Sequence, residues 1–240
     1  MIIKLDPHTH TKYSDEPGLY GKKFRNIPRY GPLELIERAI KERLNAIVIT
    51  DHDGIRGAEI AEKILKHDNL LKDKLTVIKG EEVSTMDGHI LAININEKIK
   101  PGMTINETID EIHKQGGIAV APHPYAPYGL HDKIRYLKLE GLEVLNSWCY
   151  LTRANPTAKK IAAELNLPIL GGSDAHALGM IGKIYTEVEC EDNSIEEIIS
   201  AILKKRSKPV DKLGILNSVT VLLKGLYLSL HPTKPKLEEE

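Results

Sequence analysis

Residues 46–54 read AIVITDHDG, an apolar run that ends in three ionisable side chains. The run shows no alternation of apolar and polar residues, which is typical of a strand buried on both faces in a parallel sheet. Apolar residues at helical spacing predict helices on either side of it, at about 32–44 and 56–66. A strand between two helices indicates repeated βα units, which form parallel sheets with right-handed crossovers.

The same alternation of strand and helix continues along the rest of the chain. Further strands are predicted at about 2–6, 75–79, 88–93, 117–121, 141–145, 168–171 and 184–189, and further helices at about 104–115, 131–138, 154–165 and 194–205. We therefore expect one α/β domain, a barrel of about seven strands. In such barrels the active site lies at the face where the strands end.

The composition is that of an ordinary soluble globular protein, with 240 residues of which 41% are hydrophobic and 28% charged. The net charge of −1 gives no indication of a nucleic-acid or membrane partner. No stretch is apolar over the ~20 residues that a membrane-spanning helix needs. The two cysteines, Cys149 and Cys190, follow no metal or redox spacing, so we expect reduced thiols in a cytoplasmic protein.

The first predicted strand leads into a pair of histidines. Residues 2–6 are followed by His8 and His10, and side chains two positions apart on a strand point the same way. The pair would then form half of a transition-metal site. Taken alone, it fits equally well with two polar residues in a solvated N-terminal loop.

Ionisable residues also follow nearly every later strand. Burying unpaired imidazoles and carboxylates costs several kcal/mol each unless something compensates, and a cluster of divalent metal ions would compensate for all of them. The sequence therefore predicts a multinuclear metal site. Its nine candidate ligands are His8, His10, Asp15, His52, Glu82, His89, His123, Asp174 and His176.

Other charged residues near these candidates have two interpretations each. The basic residues of the long loop at 11–31 are compatible with a solvated loop or with a flap over an anionic substrate. Arg153 and Arg56 could bind a phosphate group, for which the guanidinium is well shaped, or could be surface residues. Asp6 and Asp51 could orient a ligand imidazole or could cap the end of a strand.

The candidate ligands lie in short motifs: Asp6-X-His8-X-His10-Thr11, Ser14-Asp15, Thr50-Asp51-His52, Gly80-X-Glu82, Gly88-His89, Pro122-His123-Pro124 and Gly172-Ser173-Asp174-Ala175-His176. In this order they resemble the motifs of the polymerase and histidinol phosphatase (PHP) family. The resemblance implies a distorted (β/α)7 TIM-like barrel over residues 1–205, with two or three metal ions at the C-terminal ends of its strands. Residues 206–240 fall outside it. There we expect an amphipathic helix that packs on the barrel, or else forms a dimer interface or a weak membrane contact, followed by a mobile tail.

The resemblance also implies how the ligands divide among the metals. The first metal would be bound by His8, His10, Glu82 and Asp174. Glu82 would bridge to a second metal with His89 and His123, and the ligands of a third would be Asp15, His52 and His176. Asp15 stands where the histidinol-phosphatase branch has a histidine, which leaves Zn, Mn, Fe and Mg open. Strand alternation turns Glu81 to the face opposite Glu82.

The implied activity is hydrolysis of a small phosphate ester through a hydroxide that bridges the metals. His176, Asp174 and Arg153 are the candidate catalytic residues, and the partner is a small anionic, phosphorylated substrate. Two alternatives remain open at this point. One is a metal-dependent hydrolase of an amide-type bond, and the other is an accessory PHP module without catalysis of its own.

Overall fold

The structure, a computed structural model, describes residues 1–14, 28–150 and 152–214. Within these ranges the strands are β1 (Ile2–Thr9), β2 (Ala46–Ile49), β3 (Thr76–Ser84), β4 (His89–Ile93), β5 (Ile118–Ala121), β6 (Gly141–Asn146), β7 (Ile169–Gly172), β8 (Ile184–Glu189) and β9 (Ser207–Asp211). The α-helices are α1 (Pro32–Lys41), α2 (Arg56–His67), α3 (Ile105–Lys114), α4 (Ala154–Glu164) and α5 (Ile195–Leu203). The segment expected as a helix near 131–138 is a short 3-10 helix, His131–Tyr136.

Strand β2 is buried on both faces, as its unbroken apolar sequence predicts. Ala46 and Val48 pack in one core cluster with Leu5 of β1. Ile47 and Ile49 belong to a second cluster, which contains the apolar faces of α1 and α2. Because the side chains of a strand alternate between faces, β2 separates an inner core from a layer of covering helices.

The strands form one sheet in the order β7-β6-β5-β4-β3-β2-β1-β8-β9. Neighbours pair in parallel from β1 to β3 and from β5 to β7. By contrast, β4 is antiparallel to both of its neighbours, and β8 is antiparallel to β1 and β9. The parallel pairing expected from repeated βα units is therefore wrong at β4 and β8. The connections before β4 and β8 are shorter than the dozen or so residues that a parallel crossover needs.

The edge strands β7 and β9 come together and nearly close the sheet into a barrel. The Thr186 hydroxyl accepts a hydrogen bond from the Gly171 N–H (2.8 Å) and donates one to the Gly171 carbonyl (2.9 Å). Ser207 donates through its hydroxyl to the Ile169 carbonyl of β7 (2.9 Å). Pro209 packs against Gly171 and has no N–H to pair. Side chains therefore complete the barrel where a backbone ladder is missing.

We expect Thr186→Val to lower the free energy of unfolding by about 1–3 kcal/mol, because the buried N–H and C=O of Gly171 both lose their partner while the volume is kept. Urea denaturation measures the change. Thr157→Val is the matched control, since its hydroxyl donates to the Arg153 carbonyl on the outside of α4, and its effect should stay within about 0.5 kcal/mol. Equal shifts for the two variants would contradict this account of barrel closure.

The end of the described chain extends the barrel beyond residue 205. Residues 207–211 form β9 and pair with β8, so the sheet includes part of the segment expected to lie outside it. The remainder of the expected amphipathic helix and tail, from residue 215, lies outside the described residues. Among the described helices, none combines the length and apolar character needed to cross a membrane.

Candidate metal centre

The structure brings eight of the nine candidate ligands together where the strands end: His8, His10, His52, Glu82, His89, His123, Asp174 and His176. His89 begins its strand rather than ending it, yet it reaches the same end of the barrel because β4 runs antiparallel to β3. Asp15 lies outside the described residues, so its role as a ligand stays a prediction.

The Glu82 carboxylate lies at the centre of the cluster, and its two oxygens face different histidines. Oε1 lies 2.8 Å from Nδ1 of His89 and 3.0 Å from Nε2 of His123. Oε2 lies within 3.2–3.4 Å of a ring nitrogen of each of three other histidines, which are His8, His10 and His52. The neighbouring Glu81 points away, and it accepts a hydrogen bond from the Ile99 N–H (2.8 Å).

Asp174 is the second carboxylate of the cluster. Its Oδ1 lies 3.2 Å from Nε2 of His10, 3.5 Å from Nε2 of His8 and 3.4 Å from Nδ1 of His176. The backbone of Asp174 has a φ of 49°, in the left-handed region that non-glycine residues rarely adopt. Such strain persists only where the surroundings hold it, and it is common at functional sites.

Three groups of side chains bring possible ligand atoms within 4.8 Å of one another: His8, His10, Glu82 and Asp174; His52, Glu82 and His89; and His10, His52 and His176. The first is the set expected for the first metal. The other two differ from the expected division, because His52 also approaches Glu82 and His89, and His10 also approaches His52. His10, His52 and Glu82 are therefore each shared between two groups.

The protonation of these groups follows from burial and mutual charge. Burial alone would raise the pKa of Glu82, but the imidazoles around it, His52 above all, hold that pKa well below its ordinary value. Burial lowers the pKa of His10 to about 4 and that of His52 well below its ordinary value. Burial acts in the same direction on His8, but the carboxylates around it, Asp174 first, raise its pKa. A metal ion that bound at His8 would therefore release a proton.

The spacing and chemistry of the cluster fit metal ions. Ligand atoms bound tetrahedrally at ~2.0–2.1 Å from one ion would lie about 3.4 Å apart, close to the 3.2–3.5 Å between the carboxylate oxygens and Nε2 atoms of the first group. Among the described residues, Nδ1 of His123 is buried without a hydrogen-bond partner, and so is Nδ1 of His52, whose 3.3 Å approach to Oε2 of Glu82 lacks hydrogen-bond geometry. Six imidazoles and two carboxylates form a donor set that suits divalent transition metals.

Sequence reasoning missed Glu143, which lies in the middle of β6 and is buried. Its Oε1 lies 3.2 Å from Nδ1 of His8, on the side of the ring away from Glu82. Its Oε2 accepts hydrogen bonds from the His123 N–H (2.8 Å) and from Nδ2 of Asn146 (2.9 Å). The available signal was a single carboxylate within the apolar strand 141–146. Glu143 therefore orients His8 and holds the backbone of His123.

We expect Glu143→Gln to weaken metal affinity about 10- to 100-fold, because a carboxylate that holds the second nitrogen of a ligand imidazole fixes the ring and raises its basicity. Competition with a chromophoric chelator measures the affinity. Glu164→Gln is the control, since Glu164 pairs with Arg135 on the surface. Unchanged affinity in Glu143→Gln would show that His8 does not depend on this contact.

Asp6 does not take the imidazole-orienting role that its position suggested. Its two carboxylate oxygens accept hydrogen bonds from the Ser173 N–H and the Gly182 N–H, each 3.0 Å long. Burial raises the pKa of Asp6 to about 6, although these bonds act to lower it. The partners lie far along the chain, and Asp6 thereby joins β1 to the loop that carries Asp174 and His176.

Asp51 reaches a histidine through a serine. Its carboxylate accepts hydrogen bonds from the Thr11 hydroxyl (2.7 Å) and the Ser14 hydroxyl (2.9 Å). The Ser14 Oγ in turn lies 3.2 Å from Nδ1 of His10. Asp51 therefore contacts His10 indirectly, through the Ser14 hydroxyl.

The two candidate phosphate-binding arginines lie outside the cluster. Arg153 is exposed immediately before α4, and its side chain makes none of the contacts described above. Arg56, at the start of α2, is also exposed, and its guanidinium lies 5.0 Å from the centre of the Tyr13 ring. Lys12 approaches the same ring at 5.6 Å. Lys12 and Arg56 thus flank one tyrosine ring, two residues after His10 and four residues after His52 in the sequence.

Fold and cluster together define a class, the α/β-barrel proteins with a buried His/Glu/Asp cluster of a kind that suits several metal ions. A family model described as PHP-associated (PHP_C) matches residues 152–207. The uncharacterized protein MJ1587 of Methanocaldococcus jannaschii is 37% identical over 148 residues, which cover 61% of this chain and 83% of that protein. The chain belongs to the PHP family.

Solved structures share the fold at low sequence identity. One is a two-domain protein from Bacteroides vulgatus that contains a predicted PHP-like metal-dependent phosphoesterase, with a TM-score of 0.70, 20% identity, and coverage of 94% of this chain and 70% of that chain. Another is the lesion-specific endonuclease PfuEndoQ from Pyrococcus furiosus, with a TM-score of 0.61, 19% identity, and coverage of 99% and 74%. These similarities confirm the barrel fold.

Proposed function

We propose that this protein is a phosphoesterase that hydrolyses a small phosphate ester at the cluster around Glu82. The observation that supports this most is that each oxygen of the Glu82 carboxylate faces its own set of imidazoles. A carboxylate in this position can bridge two cations ~3.5–4 Å apart. When bound, such a pair supplies Lewis acidity and the activation of water at neutral pH, which phosphate-ester hydrolysis requires.

In this proposal each metal keeps the ligands that the sequence motifs imply, and the geometry adds only that His52 lies near both metal positions. His8, His10, Glu82 and Asp174 would hold one ion, and Glu82, His89 and His123 would hold the other. His52 approaches both sides of this pair, and with His176 and Asp15 it would complete a third position. Six imidazoles favour Zn, Mn or Fe over Mg, which prefers oxygen ligands.

The chain's own residues position the reacting groups. Nδ1 of His176 lies 2.9 Å from the Asp174 carbonyl, which can only accept a hydrogen bond, so Nδ1 donates to it and this bond holds the ring in place. Asn146 donates to Oδ2 of Asp174 (3.2 Å) and keeps Oδ1 directed at His8 and His10. Trp148 donates from its indole to the carbonyl of Asp174 (2.9 Å), which fixes the strained backbone there.

Cations outside the cluster favour an anionic substrate. Arg56 and Lys12 flank the Tyr13 ring, four residues after His52 and two residues after His10. Asn155 of α4 hydrogen-bonds through its side chain to both backbone groups of Asn146, so the start of α4, and with it Arg153, is tied to the end of β6. We propose that these cations attract the phosphate group and that Arg153 is the candidate to contact it.

The experiment is an assay of the purified protein, loaded with Mn or Zn, on p-nitrophenyl phosphate, bis-p-nitrophenyl phosphate and a p-nitroanilide. We expect release of p-nitrophenol that EDTA abolishes and added metal restores. Release of p-nitroaniline alone would favour the amide-hydrolase alternative. If the metal-loaded protein releases neither product, the proposed activity is wrong and the result favours the accessory-module alternative.

A further inference from the structure

The loop that carries Asp174 and His176 is held by side chains from other segments. Three consecutive carbonyls of its backbone each accept a hydrogen bond from a side chain. The donor and acceptor pairs are the Ser147 hydroxyl with Ser173, the Trp148 indole with Asp174 (2.9 Å) and the Tyr30 hydroxyl with Ala175 (2.8 Å). The first two donors lie in a short 3-10 helix, Ser147–Cys149, which directly follows β6. This short helix therefore fixes the backbone that joins two candidate metal ligands.

Trp148 also contacts the side chain of His176. Nδ1 of His176 donates to the Asp174 carbonyl (2.9 Å), which is the same acceptor that the Trp148 indole uses. The two rings are nearly perpendicular, with an interplanar angle of 87° and 5.7 Å between ring centres. Aromatic rings prefer this edge-to-face arrangement. The shared acceptor and the perpendicular ring together restrict both the position and the rotation of the His176 imidazole.

His176 belongs to a group of possible ligands that differs in chemistry from the other two groups. Within the described residues, the group of His10, His52 and His176 contains imidazoles only, whereas Glu82 belongs to both other groups. A metal-bound imidazole is neutral, so these three side chains add no charge attraction and their affinity for an ion depends on the orientation of the rings. Nδ1 of His52 has no hydrogen-bond partner among these residues. The contacts that hold His176 are therefore important for this group.

We propose that Trp148 is a positioning residue, which holds the His176 imidazole in the orientation needed to bind a third metal ion. This inference rests on the third metal position of the proposed function and adds the residue that sets its affinity. Trp148 contributes no ligand atom itself, since its indole N–H is a donor only. The two ions at Glu82 depend little on Trp148, because Nδ2 of Asn146 donates independently to Oδ2 of Asp174 (3.2 Å).

The test is a calorimetric titration of the EDTA-treated full chain with Mn, which gives a dissociation constant for each ion. We expect the wild type to bind a third ion more weakly than the other two. Trp148→Phe removes the indole N–H and shortens a partly buried side chain. It should weaken the third ion about 10- to 100-fold, as loss of a group that orients a ligand imidazole typically does, and leave the two tighter constants nearly unchanged. Tyr30→Phe is the matched control, because it also removes one hydrogen bond to this loop but should not weaken the third ion selectively.

Fluorescence gives a second measurement, because Trp148 is the only tryptophan of the chain. Paramagnetic Mn bound by His176 should quench its emission, in a step of the titration that His176→Gln removes. Three results would overturn the role of Trp148: a wild type that binds no third ion, equal weakening of all ions in Trp148→Phe, or a quenching step that survives unchanged in His176→Gln. Neither measurement involves hydrolysis. If the third ion depends on Trp148 but no ester is hydrolysed, the proposed function alone is wrong.

Discussion

Glu82→Gln should lose bound metal and at least about 1,000-fold in kcat/KM for a phosphate ester, because several kcal/mol of transition-state stabilisation depend on ions that this carboxylate would bridge. Five imidazole nitrogens lie within 3.4 Å of its two oxygens, so loss of the negative charge affects both sides of the centre. The variant keeps the volume of the side chain. Metal content by mass spectrometry and hydrolysis of p-nitrophenyl phosphate measure the two effects.

Glu81→Gln is the matched control for this prediction. Glu81 is the adjacent residue of β3, is equally buried and points away from the cluster. Burial raises the pKa of Glu81 to about 8, so the carboxyl is mostly neutral at pH 7 and glutamine resembles it closely. Glu81→Gln should keep metal and activity. Equal losses in both variants would mean that disturbance of β3, rather than the missing carboxylate of Glu82, explains the result.

Gly172→Ala should disrupt the metal centre, although Gly172 is not itself a candidate ligand. A Cβ at this position would lie 2.4 Å from Oε1 of Glu143 and 2.7 Å from Cβ of His8, both closer than atoms can approach. The contact between Glu143 and His8 must then break, and overpacking of this kind costs about 1–3 kcal/mol of stability. We expect a lower Tm, and metal affinity reduced at least as much as in Glu143→Gln.

Gly179→Ala provides the comparison, since a Cβ there would meet no atom within 4 Å. It should change Tm and metal affinity little. If Gly172→Ala binds metal as well as Gly179→Ala does, then β7 can move away from β1 without disturbing His8, and the close packing described for this part of the barrel is wrong.

The ligand positions could be predicted because they depend on local rules. Strand alternation alone places Glu82 toward the histidines and Glu81 away from them, and both placements agree with the structure. The ends of strands were visible as apolar runs followed by His or Asp. Because parallel strands end at one face, gathering these residues required only that the strands share a sheet.

The features that were missed depend on partners distant in sequence. In the sequence, Glu143 cannot be distinguished from any other charged residue of a strand. Only the fold places it beside His8, 135 positions earlier. Asp6 caps the Ser173 N–H, 167 positions away, and no local pattern distinguishes that role from the orientation of an imidazole. The direction of β4 was open for a different reason, because an apolar strand has the same sequence pattern in either direction.

Anomalous X-ray diffraction from crystals of the Mn-loaded protein tests directly whether Glu82 bridges two metal ions. We predict two anomalous peaks ~3.5–4 Å apart, one beside each oxygen of Glu82, with His89 and His123 around the first and His8 and His10 around the second. A single peak, or two peaks that do not share Glu82 as a ligand, would contradict it.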